Sequence, residues 1–244
     1  MKKIFSIIFA ISLFLSACKE DEPKPVVPSS DITFTINNII QGESLTDLRK
    51  IYLGENGEKY SVSKFQYLIS AISFKRLDGT ILETNSINYI DAIKNPTNKI
   101  VVKNIPDGEY SEITFYFGVD PKRNKNGGLP NEDIYNNFDW PVTNGGGYHF
   151  CQLEGNFDEN GTSRPYNIHL GKNPNQAKFT YNQTFSTNNV FNKFILDLNI
   201  DEFFKGPNKV VINKNLGAIM ENDSLQNVFA QNIKDIFKIS QLVE

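Results

Sequence analysis

The sequence predicts an all-β protein, a mainly antiparallel β-sandwich with one C-terminal α-helix. Three observations predict it. Apolar residues recur at every second position through most of the chain, Gly- and Pro-rich turn signals separate these runs, and a 3.6-period stripe appears only near the end.

The chain opens differently. Met1-Lys2-Lys3 carries two positive charges into the apolar stretch Ile4 to Leu15, which has the length of a signal-peptide core and falls short of the roughly 20 residues that span a bilayer. Leu15-Ser16-Ala17-Cys18 follows and is similar to the lipobox of bacterial lipoproteins. Residues 1–17 therefore read as a signal peptide and Cys18 as the lipidated residue, whose palmitate-type acyl chains would hold the protein on a membrane without a transmembrane helix. Lys19-Glu20-Asp21-Glu22, directly behind the cysteine, resembles the acidic export tag of some surface lipoproteins. The expected location is the outer membrane, on its periplasmic leaflet or at the cell surface. Pro23, Pro25 and Pro28 stiffen a spacer over residues 18–30. About 214 residues, 31–244, remain for a single domain.

Within that domain Ile32, Phe34 and Ile36 alternate with polar residues. Phe65 to Phe74 is a long β-rich run that stops at the turn pair Asp78-Gly79. Ile100-Val101-Val102 leads into Pro106-Asp107-Gly108, where Pro presets one torsion and Gly accepts positive φ. From that turn runs Tyr110 to Val119, with Ile113, Phe115, Phe117 and Val119 on one face. Asp120 to Gly147 then loses the period: three prolines, five glycines and many asparagines mark a long loop, and long loops in compact domains carry function disproportionately. Strand texture returns at Tyr148–Glu154, Tyr166–Leu170, Phe179–Phe185 and Phe194–Ile200. Leu225, Val228, Phe229, Ile233, Ile236 and Phe237 form the helical stripe, with Asp223 or Ser224 placed to cap it.

Charge and cysteine count narrow the chemistry. Without Lys2 and Lys3 the chain carries about 23 basic against 28 acidic side chains, and no clustered basic face points to nucleic acid. Acylation of Cys18 would leave Cys151 as the one thiol, so no intrachain disulfide is expected. No G-x-S-x-G elbow, phosphate loop or H-E-x-x-H motif is present, and Glu154 with Asp158 is too common a carboxylate pairing to indicate a glycosidase; an enzyme is not expected.

The few strong transition-metal ligands fall close together. On a regular strand His149 and Cys151, two positions apart, share a face, where an imidazole and a thiolate could reach zinc, copper(I) or copper(II). His169, on another predicted strand, is a third candidate. The same residues also read as a small core cysteine and two histidines bonded to backbone. Trp140, the single tryptophan, ends the long loop and reads as a packing anchor. Asp120 and Asp139 are the loop's candidate recognition residues; the loop's oxygen donors follow no EF-hand spacing.

Phe117-Gly118-Val119-Asp120, then Trp140, Gly147-Tyr148-His149-Phe150, Glu154-Gly155 and Ile168-His169-Leu170-Gly171 resemble, in order and spacing, the MbnP-like family. The Phe34 strand, the Phe65 to Phe74 run, the 106–110 turn and the terminal helix extend the resemblance over most of residues 31–240. It implies an extracytoplasmic β-sandwich, commonly a lipoprotein, that binds copper. It further implies a tryptophan oxidised to kynurenine by a dihaem peroxidase-like partner enzyme, a part only Trp140 could play here; His169 matches the family's H-L-G motif. With two histidines in all, this chain departs from a histidine-rich copper site. The expected function is a membrane-anchored, copper-binding β-sandwich; the alternative is a surface adhesion or ligand-binding module that uses the 120–147 loop without a metal.

Overall fold

The structure, a computed structural model, describes residues 27–46, 48–95, 97–187, 192–217 and 219–242. The expected signal peptide (residues 1–17), Cys18 and most of the expected spacer lie outside the described residues.

The strands in chain order are β1 (Ser29–Ile40), β2 (Glu43–Ser44), β3 (Tyr52–Leu53), β4 (Lys59–Arg76), β5 (Ile81–Glu83), β6 (Ile87–Asp91), β7 (Thr97–Pro106), β8 (Glu109–Phe117), β9 (His149–Glu159), β10 (Thr162–Gly171), β11 (Ala177–Ser186), β12 (Asn192–Asn199) and β13 (Phe237–Leu242). Three short helices, α1 (Asp133–Asn136), α2 (Glu202–Lys205) and α3 (Asp223–Asn232), interrupt them. One sheet runs β13-β12-β1-β2 with β7 also on β1; the other runs β10-β9-β4-β8-β11, with β3, β5 and β6 added along β4. Pairing is antiparallel except for β1 against β12, which brings Ile32 to Ile39 alongside residues 192–199 in parallel.

The period-two expectation holds where the two sheets meet. Ile32, Phe34 and Ile36 of β1 are buried and the residues between them are half-exposed, as one face of a pleated strand requires. Phe34 stacks on Phe194 in its own sheet and on Phe74 across the sandwich, at centroid distances of 5.4 and 6.4 Å. Tyr67 donates its hydroxyl hydrogen to Asn38 Oδ1 at 2.8 Å, a polar tie between the sheets inside an otherwise apolar layer. The Pro106-Asp107-Gly108 turn joins β7 to β8, and Tyr110 Oη donates back to Pro106 O at 2.6 Å.

Two expectations at the C-terminal end need correction. The helix α3 is capped by Asn222, whose side chain accepts from Leu225 N at 3.0 Å, rather than by Asp223 or Ser224. It stops at Asn232. A 3-10 turn follows, and Phe237 opens β13, which pairs antiparallel with β12. The stripe mixes two periods: Ile233 and Ile236 are buried by the turn, whereas Phe237 packs edge-on against Phe115, Phe117 and Phe179.

The segment from Asp120 to Gly147 is a long connection, as its composition predicts, with one helical turn (α1) and one 3-10 turn at 142–144. Its base is fixed by Arg123, which donates to Asp120 Oδ2 at 2.6 Å and to the carbonyls of Asn85 and Ser86. Its asparagines act as staples: Asn126 Oδ1 accepts from Gly147 N and Asn124 Oδ1 from Tyr148 N, both at 2.8 Å. These bonds return the chain to the outer face of the β9–β10 hairpin and seat Trp140 there.

Candidate functional site

The β9–β10 register decides which side chains meet. His169 pairs with Gln152 and Leu170 with Cys151; then Gly171 pairs with His149. Between the last two pairs β10 advances by one residue and β9 by two, so Phe150 is the extra residue of a β-bulge. Neighbouring residues of β10 point to opposite faces, so Cys151 shares the face of Leu170 and His149 shares the face of Gly171 and His169.

The expectation that His149 and Cys151 occupy one face fails for this reason. Cys151 lies at 0 % exposure in the apolar core between the sheets, and burial pushes its thiol far above the ordinary range. A protonated, core-facing thiol is a poor metal ligand. His149 and His169 do come together on the outer face, with ring centroids 5.1 Å apart and an interplanar angle of 81°.

Trp140 completes this cluster. Its ring centroid lies 4.8 Å from that of His149, and it is 2 % exposed. Its Nε1–H donates to Asn144 O at 3.1 Å, and its backbone N to Gly147 O at 2.9 Å. The indole rests on Gly171, where a β-carbon would lie 2.5 Å from Trp140 Cε3. The absence of a side chain at Gly171 makes the seat for the ring.

Each imidazole has a defined partner. His149, 6 % exposed, faces Phe138 O with Nδ1 at 3.0 Å, and the same oxygen accepts from His149 N at 2.6 Å. His149 Nε2 is buried with no hydrogen-bond partner, the one such side-chain atom among the described residues. Burial holds the His149 imidazole down to about 4, from an ordinary 6.5, and it is neutral near pH 7. His169 Nε2 meets Glu154 Oε1 at 2.9 Å, and the same carboxylate oxygen accepts from Lys64 Nζ at 3.1 Å. Burial also lowers His169, against the raising effect of Glu154. At Glu154 burial acts upward, but the bonds from His169 and Lys64 outweigh it and hold the carboxyl below its usual range.

Asp120 and Asp139 do not join this cluster. Asp120 is buried at the root of the loop against Arg123 and Ser70. There it borders a separate cleft of about 330 Å³ with Ser73, Thr114, Tyr116, Arg123 and Lys178. Asp139 is exposed and bridges to Tyr148 through its backbone. Sequence reasoning missed Glu154 as a partner of His169, weighing it only against Asp158. The usable signal was the outward parity of Gln152 and Glu154 on β9. It also missed Gln226 of α3, whose Nε2 donates to His169 O at 2.6 Å from a position 57 residues away. Among the described residues no group of three or more His, Cys, Asp or Glu side chains is arranged to hold a metal ion, so the cluster offers two imidazoles and an indole.

The chain is thus a mainly antiparallel β-sandwich with a cluster of two histidines and one tryptophan on the outer face of one sheet, His149 and Trp140 buried and His169 half-buried. It belongs to the MbnP family, whose model matches residues 29–232. Among solved structures the fold is similar to MbnP from Methylosinus trichosporium, with a TM-score of 0.58, 13 % sequence identity, and coverage of 89 % of this chain and 100 % of that one. No curated protein matches the chain.

Proposed function

We propose that this protein is a lipid-anchored, extracytoplasmic copper-binding protein rather than an enzyme, with His149 and His169 as its metal ligands and Trp140 as their neighbour. The observation that carries this reading is the unpartnered, buried Nε2 of His149. A buried polar atom without a partner costs about 1–3 kcal/mol, and an atom left so beside a second imidazole has a use if a cation completes it. The donor set fits: both imidazoles are neutral near pH 7, and copper accepts imidazole nitrogen without a thiolate or a carboxylate. Copper, when bound, would supply a Lewis acid for the two imidazole nitrogens. The chain's own groups bind and orient: Phe138 O and Glu154 fix the rings, and Trp140 packs on His149.

The remainder of the reading comes from the sequence. Cys18 would carry the lipid and place the domain at the outer membrane, on the periplasmic leaflet or the surface. Trp140 is the residue available for oxidation to kynurenine by a dihaem peroxidase-like partner.

Copper titration of the wild type against His149→Ala and His169→Ala tests the ligand assignment. One saturable equivalent that both variants lose is expected; no saturable uptake by the wild type overturns the reading. Intact mass tests the tryptophan branch, since kynurenine formation exchanges one carbon for one oxygen and adds about 4 Da. A second reading, a ligand-binding module without metal, is favoured by the cleft beside Asp120 and Arg123. It predicts a ligand whose affinity is unchanged by chelators and by His169→Ala.

A further inference from the structure

We infer that Glu154 is a positioning residue that locks His169 in the Nε2–H tautomer, so that the two histidines present unlike nitrogens, Nε2 of His149 and Nδ1 of His169, as their free lone pairs. The inference rests on the metal-binding reading for its purpose but on hydrogen-bond chemistry for its content.

A neutral imidazole carries one proton and one lone pair, and the neighbour of each nitrogen decides which is where. A carbonyl oxygen and a carboxylate oxygen have lone pairs only. Phe138 O, 3.0 Å from His149 Nδ1, therefore requires the proton on Nδ1 and leaves the lone pair on Nε2, the buried unpartnered atom. Glu154 Oε1, 2.9 Å from His169 Nε2, requires the proton there and leaves the lone pair on Nδ1. Lys64 Nζ, 3.1 Å from the same oxygen, can only donate, so Oε1 of Glu154 is an acceptor on that side as well. The two rings are in opposite tautomers, each set by a neighbour that accepts only.

The arrangement is built rather than incidental. Lys64, Glu154 and His169 come from three adjacent strands: Lys64 of β4 pairs directly with Glu154 of β9, and His169 of β10 pairs with Gln152, two residues along the same face from Glu154. Gln226 holds the other side of this stretch through His169 O. A carboxylate that accepts from the far nitrogen of a ligating imidazole fixes the ring's orientation and raises the basicity of the near nitrogen, and losing such a partner costs metal sites about 10–100-fold in affinity.

Nitrogen-15 labelling of the histidines of the full, metal-free chain, read by long-range proton–nitrogen correlation at neutral pH, tests the assignment. The expected spectrum shows His149 protonated on Nδ1 and His169 on Nε2. Glu154→Ala should convert His169 to an exchanging mixture, leave His149 unchanged and weaken copper binding by about 10–100-fold. Glu154→Gln retains an acceptor oxygen and should restore the His169 tautomer and most of the affinity. Observation of His169 protonated on Nδ1 in the wild type, or no change of tautomer in Glu154→Ala, overturns the inference. Tautomers as stated with no copper uptake by any variant would overturn the metal reading while supporting the positioning role.

Discussion

Replacing His149 with Leu should flatten the acid limb of this protein's stability curve. The imidazole is neutral and buried in the folded state, with its pKa held down to about 4, against 6.5 in the unfolded chain. A group whose pKa is lower when folded gives stability that is complete above the unfolded value and is lost as pH falls through the folded one. The window is therefore about pH 6.5 to 4. At about 1.36 kcal/mol per pH unit the interval is worth on the order of 3 kcal/mol. Glu154 and Asp91, also held low, weaken the fold in the same direction, but they are present in both proteins and cancel in the difference. At pH 7 the variant should be no less stable than the wild type, because the substitution removes the unpartnered Nε2 and Phe138 O keeps its bond from His149 N. Urea unfolding of the metal-free wild type and His149→Leu, at intervals from pH 7 to pH 4, measures the effect. The wild type should lose on the order of 3 kcal/mol more than the variant across this range. Parallel curves would refute the claim that His149 is buried and neutral.

Three further substitutions probe the cluster's surroundings. Gly171→Ala places a methyl group against the Trp140 ring and should cost about 1–3 kcal/mol and shift the tryptophan emission; an unchanged spectrum and melting temperature would contradict the seat described. Cys151→Ala should cost about 1 kcal/mol of packing and leave copper stoichiometry intact, and loss of metal would contradict its placement on the core face. Gln226→Leu removes the donor to His169 O and the acceptor for Gly171 N, and should destabilise by about 2–5 kcal/mol in denaturant unfolding; a change below about 1 kcal/mol would show these bonds to be incidental.

Much of the sandwich was legible because burial on one face writes itself into a strand at period two. Ile32, Phe34 and Ile36 of β1, and Ile113, Phe115 and Phe117 of β8, are core residues as the alternation requires. What local pattern cannot report is pairing partner. The parallel contact of β1 with β12 joins segments about 160 residues apart, and nothing in either strand specifies the other. The end of α3 was misplaced for a related reason: Phe237 fits the helical stripe by spacing, yet its neighbour Ile239 also packs on the core, two residues on, as in a strand.

The cluster itself turns on one residue that pattern reading counts wrongly. A regular β9 would place His149 with Cys151 on the core face, away from both His169 and Trp140. The bulge at Phe150 reverses His149 alone, leaving Cys151 and everything after it in phase. Glycines make room on both sides of the bend: Gly118, at φ 97°, lies under the Phe150 ring, and Gly171 lies under Trp140. Both glycines stand in the stretches that carry the family resemblance, 117–120 and 168–171, beside the histidine and tryptophan that a ligand search selects. Their role is to permit the change of parity, since a β-carbon at either position would occupy the space of the ring that packs there. The two-histidine cluster therefore depends on an inserted residue and two absent side chains as much as on the imidazoles, and spacing along a strand identifies ligand pairs only after the bulges have been located.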